Sequence, residues 1–201
     1  MLNSQLQAVL IMMRKNTRLA GILLAAVCLV GLPVRAAAAF QRTLALQGVR
    51  FTVTASGEGS QQQLTITTTA GKRALRPIHQ NVEGRVVEAE VADLNGNGQP
   101  ELYVYVQSAG SGSYGELVAY AVINGDQLSP IYLQELSGAP ANGYRGHDAF
   151  RIVEGCLVRR FPIYRPSDSN AKATGGLRQI CYKLRNGEAS WILQPTSVLQ
   201  F

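Results

Sequence analysis

A serine, a histidine and an aspartate are the parts of an acyl-transfer triad, and the chain offers Ser111, His147 and Asp148. Adjacent residues such as His147 and Asp148 seldom orient each other, and no G-x-S-x-G elbow surrounds Ser111. A hydrolase therefore stands only as an alternative without a recognisable constellation. Gly110-Ser-Gly112-Ser-Tyr-Gly115 matches G-x-G-x-x-G, but that string cradles a dinucleotide only where a helix comes next inside a βαβ unit. Residues 117–123 are instead a short apolar run ended by Asn124-Gly125, which reads as a buried strand. Asp93-Leu-Asn95-Gly-Asn97-Gly98-Gln-Pro-Glu101 has the spacing D-x-N-x-N-G, in which alternate oxygens converge on a calcium ion and glycine permits the sharp turn. A full loop needs Glu at position 12, which is Val104 here, so Glu101 would have to serve instead. Asp93, Asn95, Asn97 and Glu101 are thus calcium candidates, with a plain Asn/Gly turn as the competing reading. Only His79 and His147 are available as imidazole ligands, so no other metal or cofactor is expected.

These residues belong to a 201-residue chain with 19 Lys+Arg, 13 Asp+Glu and a formal charge of +6. Four of the cations, Arg14, Lys15, Arg18 and Arg35, fall in residues 1–39, which hold no acid. A basic stretch, the apolar run 19–32 and the small residues 36–39 form the three parts of a secretory signal peptide. The expected organisation is a leader over 1–39, cleaved after Ala38 or Ala39, and one domain over 40–201. The apolar run is shorter than the roughly 20 residues that span a bilayer. Cys28 is preceded by Val27 rather than a small residue, which argues against a lipid anchor. The mature chain then carries 15 basic and 13 acidic residues, a net +2. Neither a nucleic-acid partner nor a membrane association is expected of it, and an exported, periplasmic location is.

From Phe40 onward no 3.6-residue period persists, and short alternating runs are divided by Gly, Asn, Ser and Pro. Phe51, Val53 and Ala55 alternate with threonines, as do Leu64 and Ile66; Val87, Ala89 and Val91 alternate with Glu88 and Glu90. The runs 102–107 and 116–123 are more apolar on both faces and read as central strands. Further strands are expected at 131–133, 149–153, 156–164, 177–183 and 191–199. The fold class is all-β, a single antiparallel sandwich or flattened barrel of about eight strands. Pairing of 156–164 with 177–183 so that Cys156 faces Cys181 directly would give a disulfide, consistent with an oxidising compartment.

The segment 108–115 joins the two central strands and consists of small residues around one aromatic. Its glycines and serines let backbone enter a narrow space, while Tyr114 supplies a rigid anchor. Tyr114 folded onto its own sheet is the alternative. The stretch Val91-Ala-Asp-Leu-Asn-Gly-Asn-Gly-Gln-Pro-Glu-Leu-Tyr-Val-Tyr-Val106, the loop Ser111-Gly-Ser-Tyr114, Gly143-Tyr-Arg-Gly-His-Asp148, Leu157-Val-Arg-Arg-Phe-Pro-Ile-Tyr164 and Thr174-Gly-Gly-Leu-Arg-Gln179 resemble, in that order, the bacterial periplasmic inhibitors of invertebrate-type lysozyme. The resemblance spans roughly residues 43–200. It implies an antiparallel β-sandwich, often a homodimer, that is not an enzyme and inserts its S-G-x-Y loop into the lysozyme's active-site cleft. The lysozyme-binding residues would be Ser111, Gly112, Ser113 and Tyr114, with Ser111 and Tyr114 making the key contacts and Gly112 shaping the turn. An exported carbohydrate-binding or calcium-dependent adhesion module is the alternative, suggested by the all-β pattern and the 93–101 loop.

Overall fold

Strands β1 (Phe40–Leu46), β2 (Val49–Ser56) and β3 (Gln61–Ala70) arise from alternation. Phe51, Val53 and Ala55 of β2 are fully buried, and across the ladder they meet Thr68, Ile66 and Leu64 of β3. Gln47 and Gly48 take positive φ between β1 and β2, the backbone a two-residue hairpin turn requires. β3 also pairs with the two-residue β4 (Arg73–Ala74) and with β5 (Ile78–Glu83), completing a five-stranded sheet. This computed structural model describes residues 39–188 and 190–201. The leader expected over 1–39, with Cys28, thus lies outside the described residues except for Ala39.

The second sheet has eight strands: β6 (Arg85–Ala92), β7 (Glu101–Gln107), β8 (Gly115–Ile123), β9 (Gln127–Leu133), β10 (Ala149–Val153), β11 (Cys156–Pro162), β12 (Leu177–Asn186) and β13 (Trp191–Gln200). β6–β9 and β10–β13 are two antiparallel meanders. They join through a short parallel pairing of β9 with β13, Ile131 beside Trp191 and Leu133 beside Leu193. The sheet curls until its outer strands approach: Glu90 Oε2 on β6 accepts the Ile152 N–H of β10 at 2.9 Å and the Tyr105 hydroxyl at 2.6 Å. Closure is therefore made by a side chain rather than by a backbone ladder.

Two cores result. One lies between the five-stranded sheet and the outer face of β6–β8, and contains Phe51, Val53, Leu64, Ile66, Leu102, Val104 and Val106. The other fills the curled sheet with Tyr103, Tyr105, Phe150, Leu157, Phe161, Ile180, Tyr182 and Leu193. β7 serves both, even-numbered side chains one way and odd-numbered the other. Full burial of each such side chain contributes about 1.5–3 kcal/mol, so this strand is the spine of the molecule.

The all-β class and the central strands are as expected, and thirteen strands form among the described residues. Alternation of apolar residues does not mark β5, whose polar His79-Gln80-Asn81 run suits a half-exposed edge. Val87, expected inward, is 41% exposed while Val86 is buried, because the β6–β7 register shifts between Val86 and Glu88. A bulge there turns one residue over to the other face. The cysteines also differ in detail: β11 and β12 pair Val158 with Cys181, so Cys156 stands diagonally from its partner, not opposite. Both side chains lie on one face, the Cα atoms are 5.5 Å apart, and the two are disulfide-bonded.

Candidate functional site

The 108–114 loop continues directly from the last β7–β8 pair, Gln107 with Gly115. The Ser108 N–H donates to the Tyr114 carbonyl at 2.8 Å, and the Tyr114 N–H donates to Ser108 Oγ at 2.8 Å. A turn closes inside it, the Ser113 N–H donating to Gly110 O at 2.9 Å, with Ser113 at φ 42°. The neck and the turn are thus fixed by the loop's own residues.

The segment 143–148 supports the loop from the side. The His147 N–H donates to Gly112 O at 2.7 Å, and the Gly115 N–H donates to Asp148 Oδ2 at 2.8 Å. The approach is close enough that a Cβ on Gly146, which has φ 90°, would collide with the Gly112 carbonyl. Gly112 in turn faces the Tyr114 ring and the Arg145 carbonyl. Tyr114 packs edge-on to Tyr144, ring centroids 5.7 Å apart, and remains 47% exposed. The aromatic thus has one face held and the other free.

Beneath lies a buried ion pair. Asp148, its side chain fully enclosed, accepts from Arg159 Nε at 2.7 Å through Oδ1, and from the Tyr144 hydroxyl at 2.6 Å through Oδ2. Arg159 Nη2 also donates to the Tyr144 hydroxyl oxygen at 2.7 Å, and its guanidinium lies 4.9 Å from the Tyr144 ring centroid. Burial works against the Arg159 charge, but the hydrogen bond and attraction of Asp148 raise its pKa above the usual value. Burial and the Asp148 hydrogen bond push the Tyr144 phenol upward as well. The blocks containing Tyr144, Asp148 and Arg159 are visible in the sequence. Their joint role is not, because β11 brings Arg159 to the loop only through tertiary pairing.

Ser111, His147 and Asp148 do not form a relay. Both Asp148 oxygens serve Gly115, Tyr144 and Arg159, while the His147 ring stacks toward Tyr164 with centroids 6.2 Å apart. Ser111 and His147 share only the rim of a surface depression of about 500 Å³. The glycine string runs into β8, as expected, and not into a helix. Beyond the loop, Arg145, Arg165 and Arg178 line a neighbouring cleft of about 550 Å³.

The 93–101 segment forms a turn between β6 and β7. Asp93 accepts the Asn97 N–H at 3.0 Å and the Gly98 N–H at 2.9 Å; Asn95 Oδ1 accepts from Asn97 N and Asn97 Oδ1 from Gln99 N. Among the described residues no three His, Cys, Asp or Glu side chains gather as a metal centre.

Residues 76–154, which contain the loop, its 143–148 support and the 93–101 turn, match the family described as periplasmic lysozyme inhibitor of I-type lysozyme. No curated protein matches. A solved structure, PliI-Ah, the periplasmic lysozyme inhibitor of I-type lysozyme from Aeromonas hydrophyla, is 30% identical. The match covers 46% of this chain and 86% of that one, with a TM-score of 0.42.

Proposed function

The chain belongs to the family of periplasmic inhibitors of I-type lysozyme, and from that premise we propose that it blocks such a lysozyme by inserting residues 111–114 into the active-site cleft. On this reading it is an inhibitory binding protein, not an enzyme, and it works in the periplasm after residues 1–39 have been removed. The target's chemistry sets what the loop must do. Glycoside hydrolysis uses two carboxyl groups facing each other across the sugar groove. The Ser111 hydroxyl and the Tyr114 phenol can each donate to one of them, and hydrogen bonds to charged acceptors are the stronger kind. Small residues at 110, 112 and 113 keep the loop narrow enough to enter.

The observation that carries the proposal is the combination of a half-exposed Tyr114 with a backbone held by His147 and Asp148. A loop already ordered before binding loses little conformational entropy on entering a groove. Affinity then rests on fit, since the mature chain is near neutral and gains little from long-range steering.

The test is inhibition of invertebrate-type, chicken-type and goose-type lysozymes by the purified protein and its variants. Stoichiometric inhibition of the first type is expected. Ser111→Ala and Tyr114→Phe should each weaken it by about 1–3 kcal/mol, roughly 5- to 150-fold in the inhibition constant. Unchanged inhibition by both variants, with the fold intact, would sink the insertion model.

A further inference from the structure

The β6–β7 connection carries chemistry that lysozyme inhibition does not use. Glu101, the first residue of β7, is fully enclosed. Its Oε2 accepts the Leu94 N–H at 2.8 Å and the Tyr103 hydroxyl at 3.3 Å, so the carboxyl is turned toward the loop that begins at Asp93. Its Oε1 is enclosed and has no hydrogen-bond donor. No Lys, Arg or His pairs with it among the described residues. A buried carboxylate is costly unless a counter-charge compensates it. Asp93 is held in place by donors from Gln47, Gly98 and Asn97. One enclosed carboxyl therefore lies beneath the loop that a second carboxyl, that of Asp93, opens.

We propose that Asp93, Asn95, Asn97 and Glu101 bind one hard divalent cation, calcium by preference, with Glu101 as the closing ligand. Every side-chain donor is an oxygen, and no thiol or imidazole is present to favour a softer metal. Two carboxylates match the ion's charge. Each carboxylate or amide oxygen has two lone pairs; Asp93 Oδ2 uses both, on the Gly98 N–H and on Gln47 Nε2, while Asp93 Oδ1, Asn95 Oδ1 and Asn97 Oδ1 each keep one. Gly96, Asn97 and Gly98 are exposed, which leaves the loop open to solvent above the enclosed Glu101. Calcium tolerates irregular oxygen sets, whereas magnesium demands a near-octahedral one. With two neutral amides in the set, the dissociation constant should fall in the range of about 10⁻⁴–10⁻³ M typical of extracellular modules. The site lies at the opposite end of β7 from the 108–114 loop and stands or falls independently of it.

Terbium luminescence provides the test, because Tyr103 lies against Glu101 and can sensitise a bound lanthanide. Saturable terbium emission that calcium chloride displaces is expected. So is a rise of Tm on adding calcium after chelation, as for any ligand that binds the folded state alone. Glu101→Gln should lose both signals; Asp93→Asn, on the loop's half-buried rim, should lose them even if the first variant folds poorly. Asn97→Asp should tighten binding. Absence of terbium emission and of a calcium-dependent Tm shift in the unaltered protein would overturn the site. Retention of both in Glu101→Gln would remove Glu101 as a ligand, and an equal shift from magnesium or from sodium chloride at matched ionic strength would remove calcium.

Discussion

Asp148 holds the Gly115 N–H, the Tyr144 hydroxyl and Arg159 Nε with one enclosed carboxylate. Loss of one partner from a buried ion pair strands the other, which costs about 3–5 kcal/mol. Arg159→Met should lower stability by about that much in urea unfolding. Arg159→Lys keeps the charge but not the planar fork and should recover part of it. A loss under about 1 kcal/mol, the level of an exposed pair, would show that the contact does not stabilise the fold. Gly146→Ala separates positioning from stability: its Cβ meets the Gly112 carbonyl at a positive φ, so the loop must move. Inhibition is expected to fall more than Tm does, and full inhibition by this variant would detach the 143–148 support from loop shape. Ser111 and Tyr114 can be singled out from the sequence by residue type. Asp148 cannot be given its role that way, because its charge partner lies on another strand.

The strands show where alternation suffices as evidence and where it fails. β2 obeys it throughout, β3 only at Leu64 and Ile66 because its inward Gln62 and Thr68 are polar, and β7 announces double burial by being apolar at every position from Leu102 to Val106. β6 breaks it at the bulge, where Val86 takes the inward place that simple alternation assigns to Val87. Nothing in Arg85-Val-Val-Glu88 marks the extra residue, since either valine could face in. The β11–β12 hairpin shows the same limit. A register two residues away from direct opposition keeps both cysteines on one face, so the bridge is legible in the sequence although the pairing is not. The bridge spans 25 residues, and the Cys156→Ser, Cys181→Ser double variant should lose about 2–4 kcal/mol. Matching unfolding curves for oxidised and reduced protein would contradict that.

At the scale of the molecule, composition and periodicity are enough for the all-β class, while two cores sharing β7 and the curled second sheet are not legible. Curling depends on contacts between β6 and β10, whose strands lie far apart in the sequence. Glu90 makes that contact, and Glu90→Ala should strand the Ile152 N–H and the Tyr105 hydroxyl at a cost of about 1–3 kcal/mol. Faster amide exchange at Ile152 is the specific readout, and unchanged protection there would mean the sheet closes by other means. The parallel junction has a kinetic consequence. Ile131 must wait for Trp191, 60 positions later, before the first meander gains its outer neighbour. Such distant pairing slows folding through the entropy of closing a long loop. A chain emerging from its N-terminus therefore cannot complete the barrel until its last strand is free.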